Sequence, residues 1–177
     1  MGLVLKLKRG LYILNEEDRE ITPSRLFLAN LLYSPSYVSL EYALGFYGLI
    51  PEKVEDLTSV TTKKTIIFKN AFGVFRYQHL KDGLFFGFKE IKDENNFPII
   101  IAEPEKAVLD FIYLNMENFK NKEADIFILS YRFQNLESLR RKMLKDFSKR
   151  YENAVVSYAT EELLNLIKRN KRNAGTY

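Results

Sequence analysis

The stretch FPIIIAEPEKAVLDFIYL, residues 97–114, decides the fold, because a strand signal in it runs directly into a helix signal. The apolar run 97–101 is short and wholly hydrophobic, which is typical of a buried strand. Pro104 suits the first position of a helix, and Glu103 and Glu105 carry the negative charge that a helix N-terminus favours. We therefore predict a buried strand followed at once by a helix over 104–114.

Upstream of this stretch, the sequence predicts two helices and then several strands. The triplet Thr22-Pro23-Ser24 favours a helix over 24–33, and a second helix is predicted over 37–47. We expect these two helices to pair as a helical hairpin. Apolar alternation between turn residues then predicts three or four strands that form an antiparallel meander, at about 57–62, 65–69, 72–78 and 84–90.

Downstream of it, the pattern becomes mainly helical. A possible strand at 125–130 precedes two helices, predicted over 136–150 and 160–172. Residues 16–177 are therefore predicted to form one α+β domain, with an antiparallel or mixed sheet and flanking helices.

Residues 2–14, GLVLKLKRGLYIL, alternate apolar and basic side chains on both sides of a turn at Gly10, which predicts a β-hairpin. We interpret residues 1–15 as a unit that resembles the wing of a winged-helix domain. Lys6, Lys8 and Arg9 would then contact the DNA backbone. The alternative is a plain edge hairpin, in which lysines discourage pairing with other strands.

The composition excludes several classes of function. The chain has no cysteine and one histidine, so disulfides, thiolate chemistry and histidine-rich metal sites are ruled out. No apolar run is long enough to span a bilayer, and no secretory signal is evident, so we expect a cytoplasmic protein without a membrane partner. We predict no catalytic residue, cofactor or metal.

The acidic and basic residues of the 104–114 helix are the nearest approach to catalytic chemistry. Glu103, Glu105, Lys106 and Asp110 invite comparison with metal-dependent nucleases, but neither glutamate has a lysine two residues later. The simpler interpretation is a helix start with favourable acids and a Lys106–Asp110 pair one turn apart. His79 is likewise either a base or, more simply, a partly buried histidine held by a hydrogen bond.

Positive charge is concentrated towards the C-terminus, where residues 130–177 contain eleven Lys or Arg and five Asp or Glu. In the 136–150 helix, one side is apolar and the other carries Arg141, Lys142, Lys145 and Lys149. This basic side could contact phosphates without reading sequence, or it could simply be solvated.

Four segments in the same order resemble the AbiEi family of abortive-infection antitoxins and transcriptional regulators, over roughly residues 2–114. The segments are RGLY (9–12), PSYVSLE (35–41), FGVFRYQH (72–79) and AEPEKAVLD (102–110). The motif positions whose role is open are Tyr37, Ser39, Glu41, His79, Glu103, Glu105, Lys106 and Asp110.

The resemblance implies a winged-helix domain that represses its own operon and an α+β domain that counters a nucleotidyltransferase-like toxin without forming a stable complex with it. The helices that normally precede the wing are missing here, so DNA binding is expected to be weak and independent of sequence. Two alternatives stay open beside this antitoxin hypothesis. One is a metal-dependent nuclease or nucleotide-processing enzyme that uses Glu103, Glu105 or Asp110. The other is a stand-alone regulator or protein-interaction module that uses Phe85, Phe86 and Phe88.

Overall fold

The computed structural model describes residues 3–120 and 125–174 as a small hairpin and a six-stranded mixed sheet with helices on both faces. The predicted α+β class is confirmed. The strands are β1 (Val4–Lys8), β2 (Leu11–Leu14), β3 (Ser36–Val38), β4 (Leu57–Thr61), β5 (Ile66–Asn70), β6 (Gly73–His79), β7 (Phe88–Lys92) and β8 (Pro98–Ala102). The helices are α1 (Arg25–Leu32), α2 (Leu40–Phe46), α3 (Pro104–Leu114), α4 (Met116–Phe119), α5 (Arg141–Lys149) and α6 (Ala154–Ala174).

The stretch of residues 97–114 folds as predicted, into a strand followed by a helix. β8 pairs with β7 on one side and with β3 on the other, so the apolar residues of this short strand are enclosed. After Glu103, α3 begins at Pro104 and ends at Leu114, and every residue from 105 to 112 is buried. The predicted strand-to-helix unit is confirmed, with bounds that differ by one residue or less.

The predicted helix over 37–47 is wrong in its first part. Residues 36–38 form β3, in which Ser36 pairs with Thr61 and Val38 pairs with Ser59 of β4. The chain then turns sharply at Leu40, whose φ of 59° lies in the left-handed region that side chains other than glycine seldom adopt. The two predicted helices are therefore separated by a central strand and do not form a simple helical hairpin.

The predicted antiparallel meander is also wrong. The sheet order is β5-β6-β4-β3-β8-β7, so β4 and β6 are parallel neighbours, and β7 lies at the far edge from β5. Only β5 and β6 form the expected hairpin. Turn signals indicate where strands end, but they do not specify which strand lies next to which, and here β4 and β3 occupy the centre.

In the C-terminal third, two predictions need correction. Residues Ile126–Ser130 form a π-helical turn instead of the possible strand. The predicted helix over 136–150 is divided, because a short 3₁₀ turn at Leu136–Ser138 precedes α5. The last helix, predicted over 160–172, begins earlier, at Ala154, and continues to Ala174.

Helices cover both faces of the sheet. Tyr77 of β6 donates its hydroxyl hydrogen bond to the Ala29 carbonyl of α1 at 2.6 Å. The strand registers place Tyr77 and Val38 on one face and Tyr37 on the other, where it reaches α3. α2 packs against α3 on this second face, and α5 and α6 pack outside α3. The face that carries α3 is thus covered by two layers of helix.

The predicted hairpin is confirmed, and it lies against the rest of the protein. Leu7 is 4% exposed and belongs to the main hydrophobic core. Asn70 of β5 donates a hydrogen bond to the Leu7 carbonyl at 3.2 Å, and Lys8 Nζ donates one to the Leu32 carbonyl of α1 at 2.6 Å. In the part of the chain that the structure describes, no helix is long and apolar enough to cross a bilayer.

Candidate functional site

The two halves of the predicted Lys106–Asp110 pair meet in the interior, where both side chains are fully buried. Lys106 Nζ donates to Asp110 Oδ1 in a short contact, which confirms the predicted pair. Three hydroxyl groups complete the shell of the carboxylate. Tyr37 and Ser39 donate to Oδ2 at 2.9 and 2.8 Å, and Tyr151 donates to Oδ1 at 2.8 Å. We call these five residues the buried network.

The backbone explains why these side chains converge. Residues 106 and 110 lie one turn apart on the same side of α3. Tyr37 and Ser39 are two residues apart in extended backbone, so both point to the face of the sheet that α3 covers. Tyr151 follows α5 and closes the network from the outer layer of helices, where its hydroxyl also accepts a hydrogen bond from Lys106 at 2.8 Å.

Aromatic rings enclose the ammonium group of Lys106. The nitrogen lies 4.8 Å from the centroid of the Phe86 ring, 5.1 Å from that of Tyr151 and 5.6 Å from that of Tyr37. These distances are within the range of cation–π attraction, which is strengthened by the exclusion of water. Burial lowers the pKa of Lys106, while the charge of Asp110 opposes this shift. Burial and the neighbouring Asp110 carboxylate raise the pKa of Tyr37 and of Tyr151 well above the ordinary value.

Gly87 leaves room for the stem of the lysine. A Cβ atom at this position would lie 2.9 Å from Phe147 and 3.2 Å from the Lys106 side chain, and the φ of Gly87 is +72°. The sequence GLFFGF does not form a phosphate cradle. One function of its second glycine is therefore to let the loop before β7 pack closely over α3.

A second group of charges joins the start of α3 to the start of α5. Glu105 is fully buried, and its carboxylate accepts hydrogen bonds from the backbone nitrogen of Arg140 at 2.6 Å and from its Nη2 at 2.9 Å. Arg140 Nη2 also donates to Glu103 at 2.7 Å. Although burial raises the pKa of Glu105, the hydrogen bonds from Arg140 outweigh it and leave the pKa below its usual value. Glu105 thus fixes the position of Arg140, next to the first residue of α5.

This arrangement leaves no vacant metal site on α3. Glu105 is bound by Arg140, and Asp110 is bound by Lys106 and three hydroxyl groups. Within residues 3–120 and 125–174, no group of three or more His, Cys, Asp or Glu side chains is placed to hold a metal ion. Glu103, the third acid of the nuclease alternative, is likewise paired, with Lys89 and Arg140.

The residues predicted to bind DNA form two groups. The hairpin lies against β5 and α1, whereas α5 packs against α3 and α6. In the hairpin, Lys6 and Arg9 are exposed, but Lys8 is held by the Leu32 carbonyl. All four basic residues of α5 are exposed: Lys145 and Lys149 pair with nearby acids, and Arg141 and Lys142 have no ion pair among the described residues.

The remaining motif residues lie outside the buried network. His79 is exposed at the end of β6, so the prediction of a partly buried histidine is wrong, although the predicted hydrogen bond exists: Nδ1 lies 3.0 Å from the Lys63 carbonyl. Alternation does place His79 on the side of Tyr77, but His79 is the last residue of β6 and its side chain is exposed. Glu41 of α2 is half-buried, and its Oε2 atom has no hydrogen-bond partner among the described residues.

The aromatic side chains proposed as an interaction surface serve mainly the interior. Phe85 and Phe86 are half-buried and pack against the core. Phe88 is 38% exposed, but its ring stacks on Tyr37 with 4.8 Å between centroids. The exposed apolar side chains of the hairpin (Leu3, Val4, Tyr12 and Leu14) were not singled out in the sequence, because strand alternation alone does not show which face of a hairpin is covered.

Sequence reasoning missed Arg140 and Tyr151, which complete the two charge clusters. They lie 35 and 41 residues from the carboxylates that they contact. No local pattern could have linked them to α3.

A scan against known protein families finds no model that matches this chain, and a search of curated proteins finds no significant match.

Proposed function

We propose that this protein is an antitoxin and transcriptional regulator of the AbiEi type, which counters a nucleotidyltransferase-like toxin and is not itself an enzyme. The observation that supports the proposal most is the convergence of two motif segments. Tyr37 and Ser39 come from one segment, Lys106 and Asp110 come from another, and all four share one buried network.

The network suits a role in specifying the fold. A catalytic carboxylate or lysine has to meet a substrate, whereas Lys106 and Asp110 are both fully buried and are bonded to each other. Burying an ion pair costs desolvation energy and is repaid only when the geometry is good, so such a pair can favour one packing arrangement over others. We attribute the shared motif to this requirement of the fold.

DNA contact would be made through exposed cations that no acid neutralises. Among the described residues, such exposed and unpaired cations include Arg141 and Lys142 at the start of α5 and Lys6 and Arg9 of the hairpin. Contacts of this kind add affinity through the release of counterions from the phosphates, and they do not depend on base sequence. The proposed DNA contribution is therefore a supporting one.

The antitoxin role is tested by co-expression with the product of the gene that adjoins its own. If that product arrests growth, we expect the wild-type chain to relieve the arrest. The double variant Lys106→Met, Asp110→Leu should also relieve it once circular dichroism shows that it is folded, because the proposal gives the pair no chemical role. A failure of the wild-type chain to relieve the arrest would contradict the antitoxin role, and a folded but inactive double variant would favour an enzyme.

The DNA role is tested by fluorescence anisotropy with a labelled duplex of arbitrary sequence between 50 and 200 mM salt. We expect weak binding. The logarithm of the binding constant should fall linearly with the logarithm of the salt concentration, with a slope of roughly −0.9 per phosphate contact. The double variant Arg141→Ala, Lys142→Ala should bind more weakly and lower that slope by about two such contacts. A matched control, Lys53→Ala with Lys64→Ala, removes two exposed lysines elsewhere and should change little. Equal losses in both variants would show that only net charge matters.

A further inference from the structure

A cavity of about 360 Å³ lies beside Glu41, and the described residues that line it do not include any of the buried network. The loop after α2 forms one wall, and the end of α3 and the residues after the π-helical turn form the others. Its volume is in the lower part of the range for small-molecule sites. The side chains that line the cavity include Glu41, Glu52, Phe111, Asn115, Tyr131 and Phe133.

Glu41 provides an uncompensated acceptor at this cavity. Its side chain lines the space, while its Oε2 atom is shielded from solvent and has no hydrogen-bond partner among the described residues. A carboxylate that is partly withdrawn from water without a donor is costly. The carboxylates of Glu105 and Asp110, in contrast, each have a cation and further donors in contact. Within the described part of the chain, Glu41 therefore lacks the cation that Glu105 and Asp110 each have in contact.

Three aromatic rings lie along the same cavity. The rings of Phe111 and Tyr131 are perpendicular, with 4.9 Å between their centroids, and Phe133 lies 6.1 Å from Phe111. Perpendicular rings present both edges and faces to a neighbouring space, and the faces attract cations. Tyr131 is held in place by Asn118, whose Nδ2 donates to the hydroxyl group at 2.9 Å. The aromatic wall is thus fixed before any ligand arrives.

The charge of the lining has one sign. The described residues that line the cavity include Glu41 and Glu52 but no lysine or arginine. Glu52 is exposed at the rim, where its Oε1 pairs with Arg132 at 3.0 Å. Among the described residues, the protein's own cation therefore satisfies the outer carboxylate and leaves the Oε2 atom of the inner one, Glu41, without a partner.

We propose that this cavity binds an organic cation, that is, a guanidinium or ammonium group carried on an apolar stem. The cation approaches the carboxylate of Glu41, its stem lies along Phe111 and Phe133, and the Tyr131 ring contributes cation–π attraction. Asn115 offers its amide oxygen as a further acceptor, since its Nδ2 donates to the Phe111 carbonyl at 2.8 Å. This site is independent of the DNA and antitoxin roles and involves no residue of the buried network.

The chemistry could come from a free amine or from a basic side chain, and the experiment has an arm for each. Isothermal titration of the full chain uses agmatine for the first and the tripeptide acetyl-Gly-Arg-Gly-amide for the second. The matched neutral probe is the same tripeptide with citrulline in place of arginine. The neutral counterpart of agmatine is butanol. We expect at least one cationic probe to bind at least tenfold more tightly than its neutral counterpart. Equal binding of charged and neutral probes, or no binding of either cation, overturns the proposal.

Glu41→Gln supplies the decisive variant, because the amide keeps the shape of the side chain and removes its charge. It should lose at least tenfold in affinity for the cation that binds. Glu90→Gln, an exposed glutamate on β7 away from the cavity, is the matched control and should bind as the wild type does. Unchanged affinity in Glu41→Gln overturns the proposal even if the cation binds elsewhere on the protein.

A thermal measurement separates binding from a general effect on folding. Without ligand, Glu41→Gln should melt at or above the temperature of the wild type, because it removes a carboxylate that lacks a donor. The bound cation should raise the melting temperature of the wild type and of Glu90→Gln but not that of Glu41→Gln. An equal rise in all three proteins would place the cation elsewhere and overturn the assignment.

Discussion

Asp110→Ala should be the most damaging single change in the buried network. It removes the carboxylate that pairs with Lys106 Nζ and that is the shared acceptor of Tyr37, Ser39 and Tyr151. Lys106 would then remain buried without a countercharge. Breaking a buried ion pair in this way costs about 3–5 kcal/mol, of which the orphaned hydroxyl groups account for a part.

That cost is large for a chain of 177 residues. Domains of this size have a total stability of roughly 5–15 kcal/mol, so the variant should lie near the limit of folding. Each kcal/mol lowers the melting temperature by about 2–4 °C, which gives an expected fall of roughly 10 °C. Urea unfolding followed by circular dichroism measures the free energy directly. As a control, Glu161→Ala breaks the exposed Lys145–Glu161 contact and should have little effect.

The double variant tests the reasoning more strictly. Lys106→Met combined with Asp110→Leu replaces both charged side chains with apolar ones of similar shape, so no charge is left buried without a partner. It should be more stable than Asp110→Ala by about 2 kcal/mol or more. If Asp110→Ala cost less than about 1 kcal/mol, or if the double variant were as unstable as the sum of its single changes, the ion pair would not have the role that we assign to it.

Two further predictions concern packing and pH. Gly87→Ala should lower the free energy of unfolding by about 2–4 kcal/mol, because its Cβ would collide with Phe147 and the backbone is left-handed there. The control is Gly83→Ala, whose Cβ would meet nothing within 4 Å and which should change the free energy of unfolding far less. The free energy of unfolding should also fall steeply above pH 10. Tyrosines of the unfolded chain have a pKa of 10.0, whereas burial raises the pKa of three tyrosines in the folded protein, so that these keep their protons: Tyr37, Tyr77 and Tyr151. The unfolded state then binds fewer protons, so each of the three removes about 1.4 kcal/mol per pH unit. The lowered pKa of Lys106 opposes this by one proton at most. Urea midpoints at pH 9 and 11 measure the effect, and equal midpoints would refute it.

The sequence was most informative where one signal was local. The apolar run before Pro104 and the acids around it predicted β8 and α3 almost to the residue, and spacing alone predicted that Lys106 would meet Asp110. Ser24 behaves as the start signal that it resembles, since its hydroxyl oxygen accepts a hydrogen bond from the Phe27 nitrogen. These features depend on neighbours within a few residues.

The sequence was misleading where partners are far apart in the chain. The segment around Tyr37 has a helix-like apolar spacing, yet β4 and β8 pair with its first residues and make it a strand. Strand order was likewise mistaken, because β6 lies beside β4 instead of continuing a meander. Tertiary pairing overrides local pattern in both places.

The candidate sites follow the same division. The ion pair could be predicted, but its burial, its aromatic cage and its three hydroxyl partners could not. Lys8 looked equivalent to Lys6 in the sequence, and only the position of α1 shows that the Leu32 carbonyl holds one of them. The cavity beside Glu41 joins four separate segments, and no local pattern indicates that they meet.

The central position of β3 has a consequence for how the chain is made. One of its neighbours, β8, pairs residue 38 with residue 101, so the middle of the sheet cannot close until most of the polypeptide has left the ribosome. Chain synthesis at about 5–20 residues per second leaves the edges of β3 without their long-range partner for several seconds. Folds that depend on such distant pairing form slowly. A cell that produces this protein rapidly would therefore benefit from chaperones that shield the unpaired strand during that interval.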